Sequence, residues 1–92
     1  MEKKSYRIRI NDYYTDPEKC NEINLEIEYP TLEMAADAGW SIIEAFASIH
    51  GLGYENQGDQ YMAYYPAGHE QEGCGALTLE IYDNEGTRYE DL

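Results

Sequence analysis

The sequence predicts an α+β domain in which one amphipathic helix covers one face of an antiparallel sheet of four or five strands. Three observations lead to this fold. One long stretch, 30–51, repeats its apolar residues with the period of a helix, several short stretches alternate apolar and polar residues as strands do, and turn-forming residues separate them. The elements follow in the order ββαββ, with a fifth strand at the end as an option. The 92 residues make a single domain, 1–92.

Residues 4–10 and 23–29 are predicted to be the first two strands, joined by a polar loop rich in turn formers at 11–22. The side chains expected to face the core are Tyr6, Ile8 and Ile10 in the first strand and Ile23, Leu25, Ile27 and Tyr29 in the second. If the strands are antiparallel neighbours, the solvent side pairs Arg7 and Arg9 of one with Glu26 and Glu28 of the other. Most of the basic charge is then neutralised within the domain.

The helix is predicted over the segment from Pro30 to Gly51. Its apolar side consists of Leu32, Ala35, Gly39, Ile42, Ile43, Phe46, Ile49 and His50, and its opposite side of Glu33, Asp37, Ser41, Glu44 and Ser48. Thr31 is placed to cap the first free backbone N–H groups, and Gly51 is placed to end the helix. The pattern is that of a surface helix with one face on the core.

The chain after the helix is predicted to add strands at 60–65 and 76–82, with loops at 52–59 and 66–75. Two sets of residues compete for the inward face of the first strand: Met62 and Tyr64, or Tyr61, Ala63 and Tyr65. In the second strand Leu77, Leu79 and Ile81 point inward, and Glu80 and Tyr82 point to water. Residues 87–92 either add a short edge strand or fray.

Charge is the strongest functional signal in the sequence. Nineteen acidic residues against six basic ones give a formal net charge of −13, and residues 10–92 alone carry −16, since eighteen acids oppose only Lys19 and Arg88. Such a field repels nucleic acid and anionic membranes, and it attracts basic partners at a rate that depends on salt. The alternative is that the charge serves only solubility.

The sequence contains no catalytic or metal-binding signature, so we expect a protein that is not an enzyme and holds no metal or cofactor. A nucleophile pairing Cys74 with a histidine lacks a family signature and a third group. The candidate metal ligands are Cys20, His50, His69 and Cys74, and no two lie at the spacings typical of structural zinc. Two cysteines are too few for a disulfide framework, and neither a secretory signal nor an apolar run of membrane length is visible, which together predict a cytoplasmic protein.

Aromatic residues are the second functional signal, with ten tyrosines beside Trp40 and Phe46. Trp40 lies at the margin of the helix's apolar side, close to Glu33 and Glu44 on the helical wheel. Either a neighbouring loop such as 52–59 covers it, or it anchors an interface, because Trp and Tyr are enriched at binding hot spots. Tyr6 and Tyr29 are expected in the core; the tyrosines expected at contacts are Tyr13, Tyr14, Tyr54 and Tyr82.

The acidic side chains of the outer faces fall into short rows. Glu33 and Asp37 are about 6 Å apart along the helix, with Glu44 two turns farther on, and Glu26 and Glu28 are about 6.7 Å apart along their strand. Rows of this kind can stand in for the phosphates of a nucleic acid. In size, charge and aromatic content the chain resembles the small acidic inhibitors of phages and mobile elements that imitate DNA to block restriction or CRISPR nucleases. This is a resemblance of composition over residues 10–92, and the basic face of the first strand departs from it.

The resemblance implies a non-enzymatic inhibitor that occupies the nucleic-acid-binding surface of a basic nuclease, of the anti-CRISPR or anti-restriction type. The residues expected at the interface are Glu26, Glu28, Glu33, Asp37, Trp40, Glu44, Glu80 and Tyr82. Direct binding of nucleic acid or membrane is not expected. Two alternatives stay open: an immunity protein that neutralises a nuclease toxin, and a small structural or regulatory subunit that uses Trp40 and exposed tyrosines as its interface.

Overall fold

A computed structural model describes residues 4–16 and 18–90 and contains one helix and a five-stranded antiparallel sheet. The elements are β1 (Tyr6–Asp12), β2 (Asn21–Asn24), α1 (Leu32–His50), β3 (Gly53–Asn56), β4 (Tyr61–Tyr64) and β5 (Gly75–Asp83). The strands lie in the order β2-β1-β5-β4-β3, and every neighbouring pair is antiparallel. The predicted α+β class is confirmed.

The strand that the sequence did not predict is β3, which lies within the segment 52–59 that was predicted to be a loop. It pairs with β4 through a short hairpin in which the backbone N–H of Gln57 donates to the carbonyl of Gln60 at 2.9 Å. For the C-terminal segment the sequence left an edge strand or frayed ends open, and the described residues 87–90 form one isolated bridge, Tyr82 with Arg88, and no named strand. Residues 91 and 92 lie outside the described residues.

Both predicted ends of the helix are confirmed. The Thr31 side chain accepts a hydrogen bond from the backbone N–H of Met34 at 3.1 Å, which satisfies one of the free donors of the first turn. Gly51 ends the helix in the left-handed conformation, φ 66° and ψ 34°, where its missing side chain avoids strain.

The core lies between α1 and the central strands. Its fully or nearly fully buried members are Ile8, Ala35, Ile43, Ala47, Tyr61, Ala63, Leu77, Leu79 and Ile81. Of the two possible inward faces of β4, the buried one is therefore that of Tyr61 and Ala63, continued by Tyr65. The helix approaches the sheet closely at Gly39, because a Cβ atom built there would lie 2.7 Å from Cδ2 of Leu79.

The second strand differs most from its prediction, 23–29. Arg9 pairs with Asn24 and Tyr6 with Tyr29, so the two residues between Tyr6 and Arg9 face four residues, 25–28. The surplus residues interrupt the ladder, and β2 is confined to Asn21–Asn24 at the sheet edge. Leu25 and Tyr29 still pack against the core, as predicted.

Two of the four residues predicted to point inward from this strand are exposed instead, Ile23 by 39% and Ile27 by 57%. For Ile23 the physical reason is the position of α1, which packs on β1, β3, β4 and β5 but makes no contact with β2 among the described residues. Ile27 lies outside β2, among the surplus residues 25–28 that interrupt the ladder. The predicted apolar side of the helix is wrong at its C-terminal end, where Ile49 is 77% exposed and His50 is also exposed.

Candidate partner-binding surface

The outer side of α1 carries a row of three carboxylates. Glu33, Asp37 and Glu44 are all exposed, as predicted, and the helical rise places Asp37 about 6 Å from Glu33 and about 10.5 Å from Glu44 along the axis. Within the described chain, the ion pairs join other acids to the arginines, so none of them compensates the charge of this row. We call these three residues the acidic row.

Trp40 lies beside the acidic row and is half-buried. Its ring makes edge contacts with Tyr54, at 5.2 Å between centroids, and with Tyr61, at 5.1 Å. The segment 52–59 therefore covers it, which was one of the two alternatives, and β3 is the element that does so. Burial and, next, the charge of Asp37 raise the pKa of Tyr61, which indicates that the carboxylate lies near this cluster. Tyr54, 37% exposed, extends the cluster to the surface.

Acids of residues 22–28, in β2 and just after it, neutralise the basic side of β1, as the sequence predicted in outline. Arg7 donates to Glu28 at 2.8 Å, and Arg9 pairs with Glu22 at 2.9 Å rather than with Glu26 or Glu28. Because both pairs are at least one-third exposed, each contributes little to stability. Their effect is electrostatic, because they neutralise the positive charge of Arg7 and Arg9. Glu26 is exposed and has no ion pair among the described residues.

Glu80 was predicted to point to water, and this prediction is wrong, because only 8% of the residue is exposed. Alternation places it on the sheet face opposite α1, but the chain after β5 folds back across that face through the hydrogen bond from Tyr89 N–H to the Ile81 carbonyl. Glu80 accepts from Arg88 at 2.8 Å and from Asn11 at 2.7 Å. It belongs to an internal network, and its charge is compensated.

Tyr82, the neighbour of Glu80 on this face, is half-buried and not freely exposed. Its hydroxyl accepts from Arg9 at 2.9 Å and donates to Glu80 at 3.4 Å, and the guanidinium of Arg9 lies 4.2 Å from the ring centroid. A second donor of the network, Arg88, also pairs with Asp59 at 2.8 Å. On the sheet face opposite α1, these polar side chains are thus bonded to one another. The candidate contact surface is therefore the helix side.

The described chain contains no group of three or more potential metal ligands, and both Cys20 and Cys74 are exposed free thiols. A side-chain hydrogen bond with the Cys20 thiol and, next, burial raise the pKa of Tyr13. The two histidine rings pack on tyrosines, His50 on Tyr14 at 4.4 Å and His69 on Tyr65 at 4.5 Å. No described helix is long and apolar enough to cross a membrane.

Sequence reasoning missed a set of exposed apolar side chains. Ile23, Met34 and Ile49 are exposed by 39%, 50% and 77%. The helical wheel places Met34 outside the apolar side, which is a usable signal. The exposure of Ile23 and Ile49 depends on where α1 sits over the sheet, and no local pattern contains that information.

Comparisons with protein-family models, with curated proteins and with solved structures found no match for this chain.

Proposed function

We propose that this protein is a non-enzymatic inhibitor that occupies the nucleic-acid-binding surface of a basic nuclease, acting in the cytoplasm. The observation that carries the proposal is the arrangement of charge. Arg7, Arg9 and Arg88 are each paired with acids of the same chain, whereas the acidic row on α1 is exposed and has no ion pair among the described residues.

The basic strand was the feature that departed from a DNA mimic, and its neutralisation supports the proposal. An exposed pair of arginines would repel the cationic groove of a nuclease. With Arg7 held by Glu28 and Arg9 by Glu22 and Tyr82, that repulsion is screened locally. The acidic row then sets the sign of the field on the helix side, which steers a basic partner toward α1.

The partner is to be identified by pull-down with the tagged protein from a host lysate, at low and at high salt, followed by mass spectrometry. We expect a basic nucleic-acid-binding protein that is retained at low salt and released at high salt. The reason is that the Debye length falls from about 10 Å at 0.1 M to about 3 Å at 1 M salt, which screens the carboxylates. An immunity protein would retain a nuclease toxin in the same way, and the identity of the captured nuclease separates the two.

Removing the acidic row is expected to weaken binding to that nuclease by about tenfold or more, chiefly through slower association. The variant is Glu33→Gln, Asp37→Asn and Glu44→Gln together, measured by surface plasmon resonance. All three side chains are exposed, and the relief of repulsion between Glu33 and Asp37 offsets the lost interaction of Glu33 with the helix dipole in the first turn, so we expect little change in stability.

The matched control removes the same number of charges elsewhere: Glu18→Gln, Glu70→Gln and Glu85→Gln lie in exposed loops. We expect this variant to bind within about twofold of the parent, since a few loop charges change the overall field only slightly. Equal losses for both triple variants would show that net charge alone matters. If neither variant nor salt changes the affinity, the protein is better explained as an assembly subunit that binds through the cluster around Trp40.

A further inference from the structure

Five aromatic side chains meet at the C-terminal end of α1. The ring of Tyr14, which follows β1, lies 5.5 Å from the ring of Phe46 and 4.4 Å from that of His50, between centroids. It also stacks on Tyr65 at 6.4 Å, and Tyr65 in turn stacks on His69 at 4.5 Å. We call these five residues the aromatic cluster. The helix, the loop after β1 and the segment after β4 all contribute to it, so it forms only in the folded domain.

Part of the aromatic cluster is open to solvent. Tyr65 is buried, but Tyr14 is 39% exposed, and both histidines are exposed as well. The faces of tyrosine rings attract cations, and tyrosine is enriched at the centres of protein interfaces. Because neighbouring rings hold Tyr14 in place, a partner that contacts it does not have to order a mobile side chain.

A carboxylate lies next to the aromatic cluster and is held in a fixed position. Oδ1 of Asp12 accepts from the backbone N–H of Tyr14 at 2.8 Å and from that of Thr15 at 3.2 Å, and Oδ2 accepts from the Thr15 hydroxyl at 2.7 Å. Burial and, next, the charges of Tyr14 and Asp12 raise the pKa of Tyr65, which indicates that this carboxylate is close to the rings.

Asp12 is a charged acceptor that the chain does not neutralise. Burial raises the pKa of Asp12, but the hydrogen bonds from Thr15 and Tyr14 outweigh it and lower the pKa, so the side chain is ionised at neutral pH. The ion pairs of the described residues all involve other acids. A carboxylate has about four acceptor positions, and three of them are used here, which leaves one for a donor from outside.

The same domain shows which side chain fits a tyrosine ring beside a carboxylate. On the opposite face of the sheet, the guanidinium of Arg9 lies 4.2 Å from the ring centroid of Tyr82 and pairs with Glu22 at 2.9 Å. A guanidinium is planar, so it stacks on a ring while its edge donates to an acid, whereas the ammonium of lysine is compact and strongly hydrated. Tyr14 and Asp12 offer the same two groups with no arginine of this chain between them.

We propose that Asp12 and the aromatic cluster bind an arginine side chain of the partner, whose guanidinium stacks on Tyr14 and donates to the Asp12 carboxylate. The inference rests on the proposed function, because arginine is the residue that nucleic-acid-binding surfaces use most for phosphate recognition. It adds a specific contact to the long-range attraction that the acidic row exerts.

The probe is a short acetylated peptide of glycine and arginine, titrated into the isotopically labelled protein at about 0.1 M salt and followed by NMR. Matched peptides carry lysine, or citrulline, which has nearly the shape of arginine without its charge. We expect the arginine peptide to shift the ring signals of Tyr14 and His50 and the amide signals of residues 12–15. It should bind at least about threefold more tightly than the lysine peptide and about tenfold more tightly than the citrulline peptide.

Two variants remove one half of the site each. Asp12→Asn removes the charge but keeps a side-chain oxygen that accepts from the N–H groups of Tyr14 and Thr15. Tyr14→Leu removes the ring and keeps an apolar side chain at the position. Each variant should bind the arginine peptide at least about threefold more weakly than the parent protein.

The matched control is Asp83→Asn, which removes one charge from a similar turn. Oδ1 of Asp83 accepts from the backbone N–H groups of Glu85 and Thr87, both at 2.9 Å. Asp83 and Asp12 lie at opposite ends of the ladder between β1 and β5, about 20 Å apart. We expect this variant to bind the arginine peptide within about 1.5-fold of the parent, since the overall charge changes only slightly.

The titration of the parent protein does not depend on the folding of any variant. The inference is overturned if the lysine or citrulline peptide binds as tightly as the arginine peptide, or if the shifted signals lie away from the aromatic cluster. It is also overturned if folded Asp12→Asn binds like Asp83→Asn. A nuclease that keeps its nucleic acid when this protein binds would contradict the proposed function alone, whatever the peptides show.

Discussion

Gly39→Val is expected to destabilise the protein by about 3 kcal/mol, because it overpacks the core where α1 meets β5. A Cβ at this position would lie 2.7 Å from Leu79 Cδ2 and 3.4 Å from Tyr61 Cε2. Leu79 is fully buried, so it has no free space into which to move. Valine adds two further methyl groups to this overlap. Urea denaturation followed by circular dichroism measures the loss.

The control for Gly39→Val is Ala45→Val, at an exposed position of the same helix. It introduces the same β-branched side chain and costs only the difference in helix propensity, less than about 1 kcal/mol. Gly39→Ala is intermediate, since the better helix propensity of alanine offsets part of the overlap. Equal midpoints for Gly39→Val and Ala45→Val would show that α1 is not held this close to the sheet.

Glu80→Ala should lower the free energy of unfolding by about 2–4 kcal/mol, somewhat below the range of about 3–5 kcal/mol for breaking a fully buried ion pair, because the Arg88 side chain is 34% exposed. The carboxylate accepts from Arg88 and Asn11 at 2.8 and 2.7 Å, and it is almost completely buried. Its loss removes one acceptor from each donor, so that Arg88 keeps only Asp59 and Asn11 keeps only Thr78, and it loosens the segment around Arg88 that the backbone bond from Tyr89 to Ile81 still holds to the sheet. The measurement is again the urea midpoint, with protease sensitivity near the C-terminal segment as a second readout.

Glu28→Ala is the matched control, because it also removes a glutamate that pairs with an arginine at 2.8 Å. The Glu28 and Arg7 side chains are 52% and 55% exposed, so this change should cost no more than about 1 kcal/mol. If the two variants lose the same stability, the network on the open sheet face contributes no more than a surface ion pair.

The parts of the fold that local pattern determines were predictable. The helix from its Thr31 cap to Gly51 and the inward row of β5 follow from periodicity and from residues with strong local preferences. The exposure of the acidic row also follows from the helical wheel. Local neutralisation of Arg7 by Glu28 needed only the assumption that the first two strands are neighbours.

The parts that depend on tertiary position were not predictable. Glu80 looks like an outward-facing strand residue, and only the return of Arg88 across the sheet buries it. Strand β3 has glycine, acid and amide residues that favour a loop, and it forms because its tyrosine packs on Trp40 and its backbone pairs with β4. The exposure of Ile23 follows from the lateral position of α1, which is set by long-range packing.

The most direct measurement of the central claim is a displacement titration. The nuclease identified by pull-down is loaded with labelled nucleic acid, this protein is added, and the anisotropy of the nucleic acid is followed. We expect the nucleic acid to be released completely, at concentrations that rise when the acidic row is removed, because both ligands need the same cationic groove. A stable ternary complex, with the nucleic acid still bound in its usual groove, would contradict the account.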